Sequence, residues 1–143
     1  MSRLSLDQAR SIIGAALAKG RADHLKPLTV VVLDAGGHVI AAEREDGSAN
    51  LRFDIAFGKA NAAVALGMGS RALMARAEAQ AYFVQAVNGL AGGRIVPVPG
   101  GVLIRDDTGT VLGAVGISGD VSDADEGCAL AAIAATGLSG DAG

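Results

Sequence analysis

Between Thr29 and Gly119 the apolar positions form two matching strand–turn–strand blocks, with helical spacing before, between and after them. The chain begins with Leu6, Ala9, Ile13, Ala16 and Leu17 recurring at helical intervals, and Ser5 followed by Gln8 forms a capping-box pair. This predicts a first helix ending between Gly20 and Asp23, with Pro27 barring its continuation. LTVVVLD and HVIAAERED then read as two strands of a hairpin, and GVLIRDD with TVLGAVGISGD as a second. Each hairpin turns on the same grammar, Asp34-x-x-Gly37-x-Val39 and Asp106-x-x-Gly109-x-Val111. An Asp opens the turn and a Gly stands where φ becomes positive. A phosphate-cradling loop would run from strand into helix instead, so Gly36-Gly37 is read as a turn, with His38 wet beyond its tip.

Helical material separates the hairpins. DIAFGKANAAVALGM predicts one helix, and SRALMARAEAQAYFVQAVNGL a second stretch broken near Glu78 and ended by Gly92-Gly93. Arg94 to Val98 is expected to add a short strand before Pro99. SDADEGCALAAIAATG predicts a last helix with Ser122 as N-cap, acids in its first turn and Gly137 at its end. Hairpins without β-α-β crossovers imply an α+β fold, an antiparallel sheet with helices packed on its faces. The whole, residues 1–143, is read as one domain.

Composition narrows the function. Half of the 143 residues are hydrophobic but only 3% are aromatic, so the core must be aliphatic and closely approached. Such small-residue packing points to a homo-oligomer. A net charge of −3 with scattered basic residues excludes a nucleic-acid binder. The chain start shows no apolar signal core, and no uncharged span is long enough for a membrane. A cytoplasmic location is the resulting expectation. A lone Cys128 excludes an internal disulfide framework, and no metal-ligand spacing is found.

Chemistry has few candidate carriers. On the helix following Leu51, Phe53, Phe57, Ala60 and Val64 share the face expected to meet the sheet. Ile55, Ala62, Ala63 and Leu66 form a second apolar face containing Lys59, with Arg52 on the same stripe. Lys59 is either a snorkelling cation or, with Arg52, positive charge for an anionic ligand. Antiparallel pairing of the first and last long strands would bring Arg44-Glu45-Asp46 and Ser118-Gly119-Asp120 to one sheet edge, beside two helix N-termini. A catalytic reading takes its acid or base from Lys59, Asp46, Asp120 or Glu126, with amides near Gly100, Gly101 and Gly119 stabilising an oxyanion. Non-covalent haem has His24, His38, Tyr82 or a Met as possible ligands, and nothing singles one out.

VVLDAGGHVIAAEREDGS, DIAFGKANAAVALGMGSRAL, VPVPGGVLIRDDTGTVLGAVGISGD and SDADEGCALAAI together resemble the GlcG/HbpS-like family. They are also similar to the C-terminal domain of PduO-type corrinoid adenosyltransferases. The resemblance covers nearly the whole chain and implies a profilin-like fold with a five-stranded antiparallel sheet, in a homo-oligomer. It implies a small binding protein for haem, another tetrapyrrole or a related anionic hydrophobic ligand. Arg52 and Lys59 would then meet carboxylates, Gly100, Gly101 and Gly119 would line the ligand, and His24 would be a candidate axial ligand. A cofactor-independent enzyme of a catabolic operon, acting on a small organic acid, and a ligand-free accessory subunit are the alternatives.

Overall fold

The computed structural model describes residues 3–143; the first two residues of the chain start read above lie outside them. The elements run α1 (Leu6–Ala22), β1 (Thr29–Asp34), β2 (Val39–Arg44), α2 (Arg52–Leu66), α3 (Ser70–Ala79), α4 (Ala81–Leu90), β3 (Gly101–Arg105), β4 (Val111–Ser118), α5 (Ser122–Ala135) and β5 (Ser139–Asp141). Five strands form one antiparallel sheet in the order β2-β1-β4-β3-β5. Both hairpins are present, and β1 pairs with β4 as the strand-end argument required, Thr29 opposite Ser118.

The two turns are built alike. Asp34 Oδ1 accepts hydrogen bonds from the N–H groups of Gly36 and His38, and Asp106 Oδ1 accepts from Thr108 and Thr110. Gly37 and Gly109 then take φ of 84° and 83°, where a side chain would be strained. The capping box forms as read: Ser5 Oγ accepts from the Gln8 N–H, and Gln8 Oε1 from the Ser5 N–H.

Alternation along the strands sorts the core into two layers. Val30, Val32, Val102, Ile104, Val115 and Ile117 face α1 and α5, meeting Ile12, Ile13, Ala129 and Ile133. Val31, Leu33, Leu103 and Ala114 face α2, where Ala56, Ala60 and Ala63 meet them. The α3–α4 pair covers the outer flank of α2 through Ala62, Leu73, Val84 and Ile95.

Several expectations are corrected. Residues 94–98 are not a strand: the Ile95 N–H goes to Asn88 Oδ1 and the Val96 N–H to the Gly58 carbonyl, so no sheet edge takes this segment. The fifth strand is β5, a Ser-Gly-Asp stretch that pairs with β3. Val121, not Ser122, is the N-cap of α5, and Ser122 is the first helical residue. The break between α3 and α4 falls at Gln80. In α1 Ile12 is buried while Leu6 is 45% exposed. On α2 the sheet-facing stripe is Ala56, Ala60 and Ala63; Phe57 and Val64 flank it and Phe53 is turned outward.

Candidate functional site

Two glycines of the Pro-Gly-Gly strand start let α2 press against the sheet. A Cβ at Gly101 would stand 2.1 Å from the Lys59 carbonyl oxygen, and one at Gly100 would stand 2.9 Å from Lys59 Nζ. Across β4 a Cβ at Gly116 would meet the Ala56 carbonyl at 1.9 Å. The helix backbone therefore lies almost on the sheet, and Lys59 has no route to solvent along it.

Lys59 does not snorkel. It is 2% exposed, and its ammonium donates to the Ile117 carbonyl at 2.9 Å and to Asp125 Oδ2 at 3.1 Å. Asp125, equally buried, accepts the Asp120 N–H at its other oxygen, 3.1 Å away. Burial pushes the Lys59 ammonium below its ordinary pKa, and the Asp125 charge pulls it back. Burial likewise raises Asp125, with Lys59 opposing. The pair ties α2, the end of β4 and the first turn of α5 together.

Around it the other polar groups are also committed. Arg52 is half-buried and one guanidinium N–H donates to Ser118 Oγ at 3.0 Å. Ser70 Oγ accepts the Gly101 N–H at 2.8 Å, so that amide is already engaged. Glu126 accepts from Arg71 Nε at 3.0 Å, and Arg71 also pairs with Asp123. Hydrogen bonding to Glu126 raises the Arg71 guanidinium further above its usual range. Asp120 accepts the N–H groups of Lys26 and Val121, both at 2.8 Å, and these donors hold its carboxyl below its ordinary value.

Thus the structure gathers Arg52, Lys59, Asp120, Gly100 and Gly119 around the end of β4, whereas the others lie apart. Gly119 is buried, a Cβ there standing 2.2 Å from the Pro27 carbonyl. Asp46 is exposed beside a polar cleft lined by Arg21, Pro27, Glu43 and Glu45. His24 is exposed after α1, with φ of 56°. His38 has its side chain 82% exposed beside Asp34, and Tyr82 is 71% exposed on α4. Cys128 is buried, and burial raises its thiol above the ordinary value. Among the described residues no group of three or more His, Cys, Asp or Glu could hold a metal ion, and no helix is long and apolar enough to cross a membrane.

Sequence reasoning missed Asp125 as the partner of Lys59. The signal was present: Asp125 shares the α5 stripe of Cys128, Ala129 and Ala132, a position whose neighbours are all buried. It also missed an open groove of about 390 Å³ lined by Val39, Phe53, Asp54, Phe57, Gly93 and Arg94. Those residues come from three separate segments, and no spacing rule joins them.

Fold and site together define an α+β protein whose helix–sheet contact is closed by a buried lysine–aspartate pair. Residues 4–134 match the model of the haem degrading protein HbpS-like family, and the chain belongs to that family. Among solved structures it is similar to a PduOC:haem complex, with 26% identity, a TM-score of 0.85, and coverage of 95% of this chain and 96% of that one. It is also similar to protein ORFY of Klebsiella pneumoniae, at 25% identity and a TM-score of 0.82 over 93% of this chain and 90% of that one. A double mutant of HbpS from Streptomyces reticuli matches at 26% and 0.78, over 93% of this chain and 86% of that one. No curated protein sequence matches the chain.

Proposed function

We propose that the protein binds haem or a closely related tetrapyrrole as a non-covalent ligand. The observation that carries this reading is the likeness, in sequence and backbone and over 95% of the chain, to a PduOC domain solved with haem. Membership of the HbpS-like family supports it. A tetrapyrrole combines a flat apolar ring with anionic carboxylates, so a receptor needs exposed apolar surface next to a cation. Arg52 is the candidate cation near the β4 end, since one bond to Ser118 leaves further donors on the same guanidinium. Lys59 and Asp125 neutralise each other inside the fold, which assigns Lys59 to positioning α2 rather than to a ligand carboxylate. Exposed His24 remains the candidate axial ligand from the sequence set.

The acidic composition and single buried cysteine suit a reducing cytoplasm. A homo-oligomer belongs to the same proposal: α4, AYFVQAVNGL, carries no charged residue yet leaves Leu90 90% exposed. Sedimentation of the purified chain tests that part, a monomer at micromolar concentration refuting it. Haemin titration tests the main reading. The expected result is a saturable, shifted Soret band; a spectrum equal to free haemin throughout would refute it.

A further inference from the structure

We infer that the groove between α2, the start of β2 and the Gly93–Arg94 loop is the surface on which the tetrapyrrole ring lies, with Arg94 pairing a carboxylate at its rim. This rests on the ligand class proposed above and assigns its place. The chain has only three Phe and one Tyr, and none enters the fully buried core. Two of the Phe, Phe53 and Phe57, lie stacked in this one groove with ring centroids 6.4 Å apart. Phe53 is 37% and Val39 47% exposed, so apolar surface is displayed here rather than buried. A flat aromatic ligand recovers that exposed area and stacks on the ring faces.

Charge completes the fit. The Arg94 guanidinium stands 5.9 Å from the Phe57 ring centroid, and its own hydrogen bond is a long one to the Ala91 carbonyl at 3.4 Å. No ion pair with a carboxylate forms at Arg94 among the described residues. Its loop is anchored, because Asn61 Nδ2 donates to the Arg94 carbonyl at 2.9 Å. An anchored, exposed guanidinium at the edge of an aromatic floor can take a carboxylate with two parallel N–H donors. Asp54, also on the lining, disfavours a second carboxylate there and so orients the ring with its anionic edge toward Arg94.

The lining contains no His, Cys, Met or Tyr. Ring stacking, not iron ligation, therefore supplies the affinity, and metal-free protoporphyrin IX binds within a few-fold of haemin. The test is a pair of titrations on the full chain, haemin by Soret absorbance and protoporphyrin IX by fluorescence. Phe53→Ala and Arg94→Ala are compared with Arg10→Ala, an exposed cation on α1 across the sheet. The expected result is affinity for both ligands, weakened about tenfold by Phe53→Ala and about three- to tenfold by Arg94→Ala, with Arg10→Ala unchanged. Circular dichroism checks that the variants stay folded, as the exposure of both side chains requires. Haemin bound equally by wild type and both groove variants, or bound while protoporphyrin IX is refused, overturns the groove and leaves the ligand class standing. No binding of either ligand by the wild type overturns the ligand class itself.

Discussion

Lys59→Met, Asp125→Asn and the double variant form a cycle whose outcome follows from the geometry of the buried pair. Lys59→Met leaves the Asp125 carboxyl enclosed with only the Asp120 N–H for company. Asp125→Asn leaves an ammonium facing the Ile117 carbonyl and a neutral amide. Removing one partner of a buried ion pair costs about 3–5 kcal/mol, because an uncompensated charge stays behind. In the double variant no charge remains, the Asn oxygen still accepts from Asp120, and the main loss is the donor to Ile117. That loss is about 1–3 kcal/mol. The double variant is therefore more stable than at least one single variant, measured by urea unfolding at neutral pH. A domain of ordinary stability, about 5–15 kcal/mol, survives the single changes or sits at their edge. If a single variant is unfolded, a folded double variant reads out the same coupling. Losses that simply add, within about 0.5 kcal/mol, would refute the pairing.

The pH dependence gives the cycle a second readout. In Lys59→Met the folded Asp125 keeps a pKa raised above 3.8, with its opposing cation gone. Between 3.8 and the raised value the folded form holds a proton that the unfolded form has released. Stability therefore falls as pH rises through that window, and the variant is less impaired at about pH 4 than at neutrality. Asp125→Asn behaves oppositely. Lys59 is lowered below 10.5, the unfolded chain binds more protons just below that value, and stability rises with pH there.

Other outcomes follow from single contacts. Gly116→Ala forces a Cβ to 1.9 Å from the Ala56 carbonyl; calorimetry should show a loss of about 3 kcal/mol or more, near the upper end for overpacking. Gly67→Ala, by contrast, meets nothing within 4 Å, so its cost is only that of φ 70°, about 1 kcal/mol. Asp120 has its carboxyl lowered below 3.8 by two backbone donors, so its contribution is present above 3.8 and lost as pH falls through the folded value. Asp120→Asn should flatten the acid limb of the stability profile there, and an unchanged limb would count against those bonds. Ser70→Ala removes both partners of the Gly101 N–H and carbonyl in a buried site, and should cost about 1–3 kcal/mol by urea unfolding.

What the sequence disclosed was the part governed by local rules. The paired Asp-x-x-Gly turns, the Ser5–Gln8 capping box and the antiparallel return of β4 onto β1 each depend on a few neighbouring residues or on chain direction. Strand β5 was hidden because Ser-Gly-Asp has no strand propensity of its own; it is extended because β3 offers it an open edge. The same holds at Arg94–Val98, where apolar β-branched residues suggested a strand but the local amides are taken by Asn88 and Gly58. Lys59 was recognisable as a cation on an apolar face, yet its partner lay on another helix, and pairing across elements is not a periodicity.

The misplaced face of α2 carries the deeper lesson. Hydrophobicity alone sends Phe53 and Phe57 to the sheet, but Gly101 and Gly116 bring the helix backbone within reach of the strands, and no phenyl ring fits such a gap. Alanines 56, 60 and 63 take the contact because they are small, not because they are the most apolar residues available. The rings are displaced to the rim, where they cost exposure without a ligand. One packing decision thus encloses Lys59 with Asp125 and leaves an aromatic floor beside Arg94. Widening the helix–sheet gap would undo both features together, which is why the glycines of β3 and β4 belong to the functional surface as much as to the core.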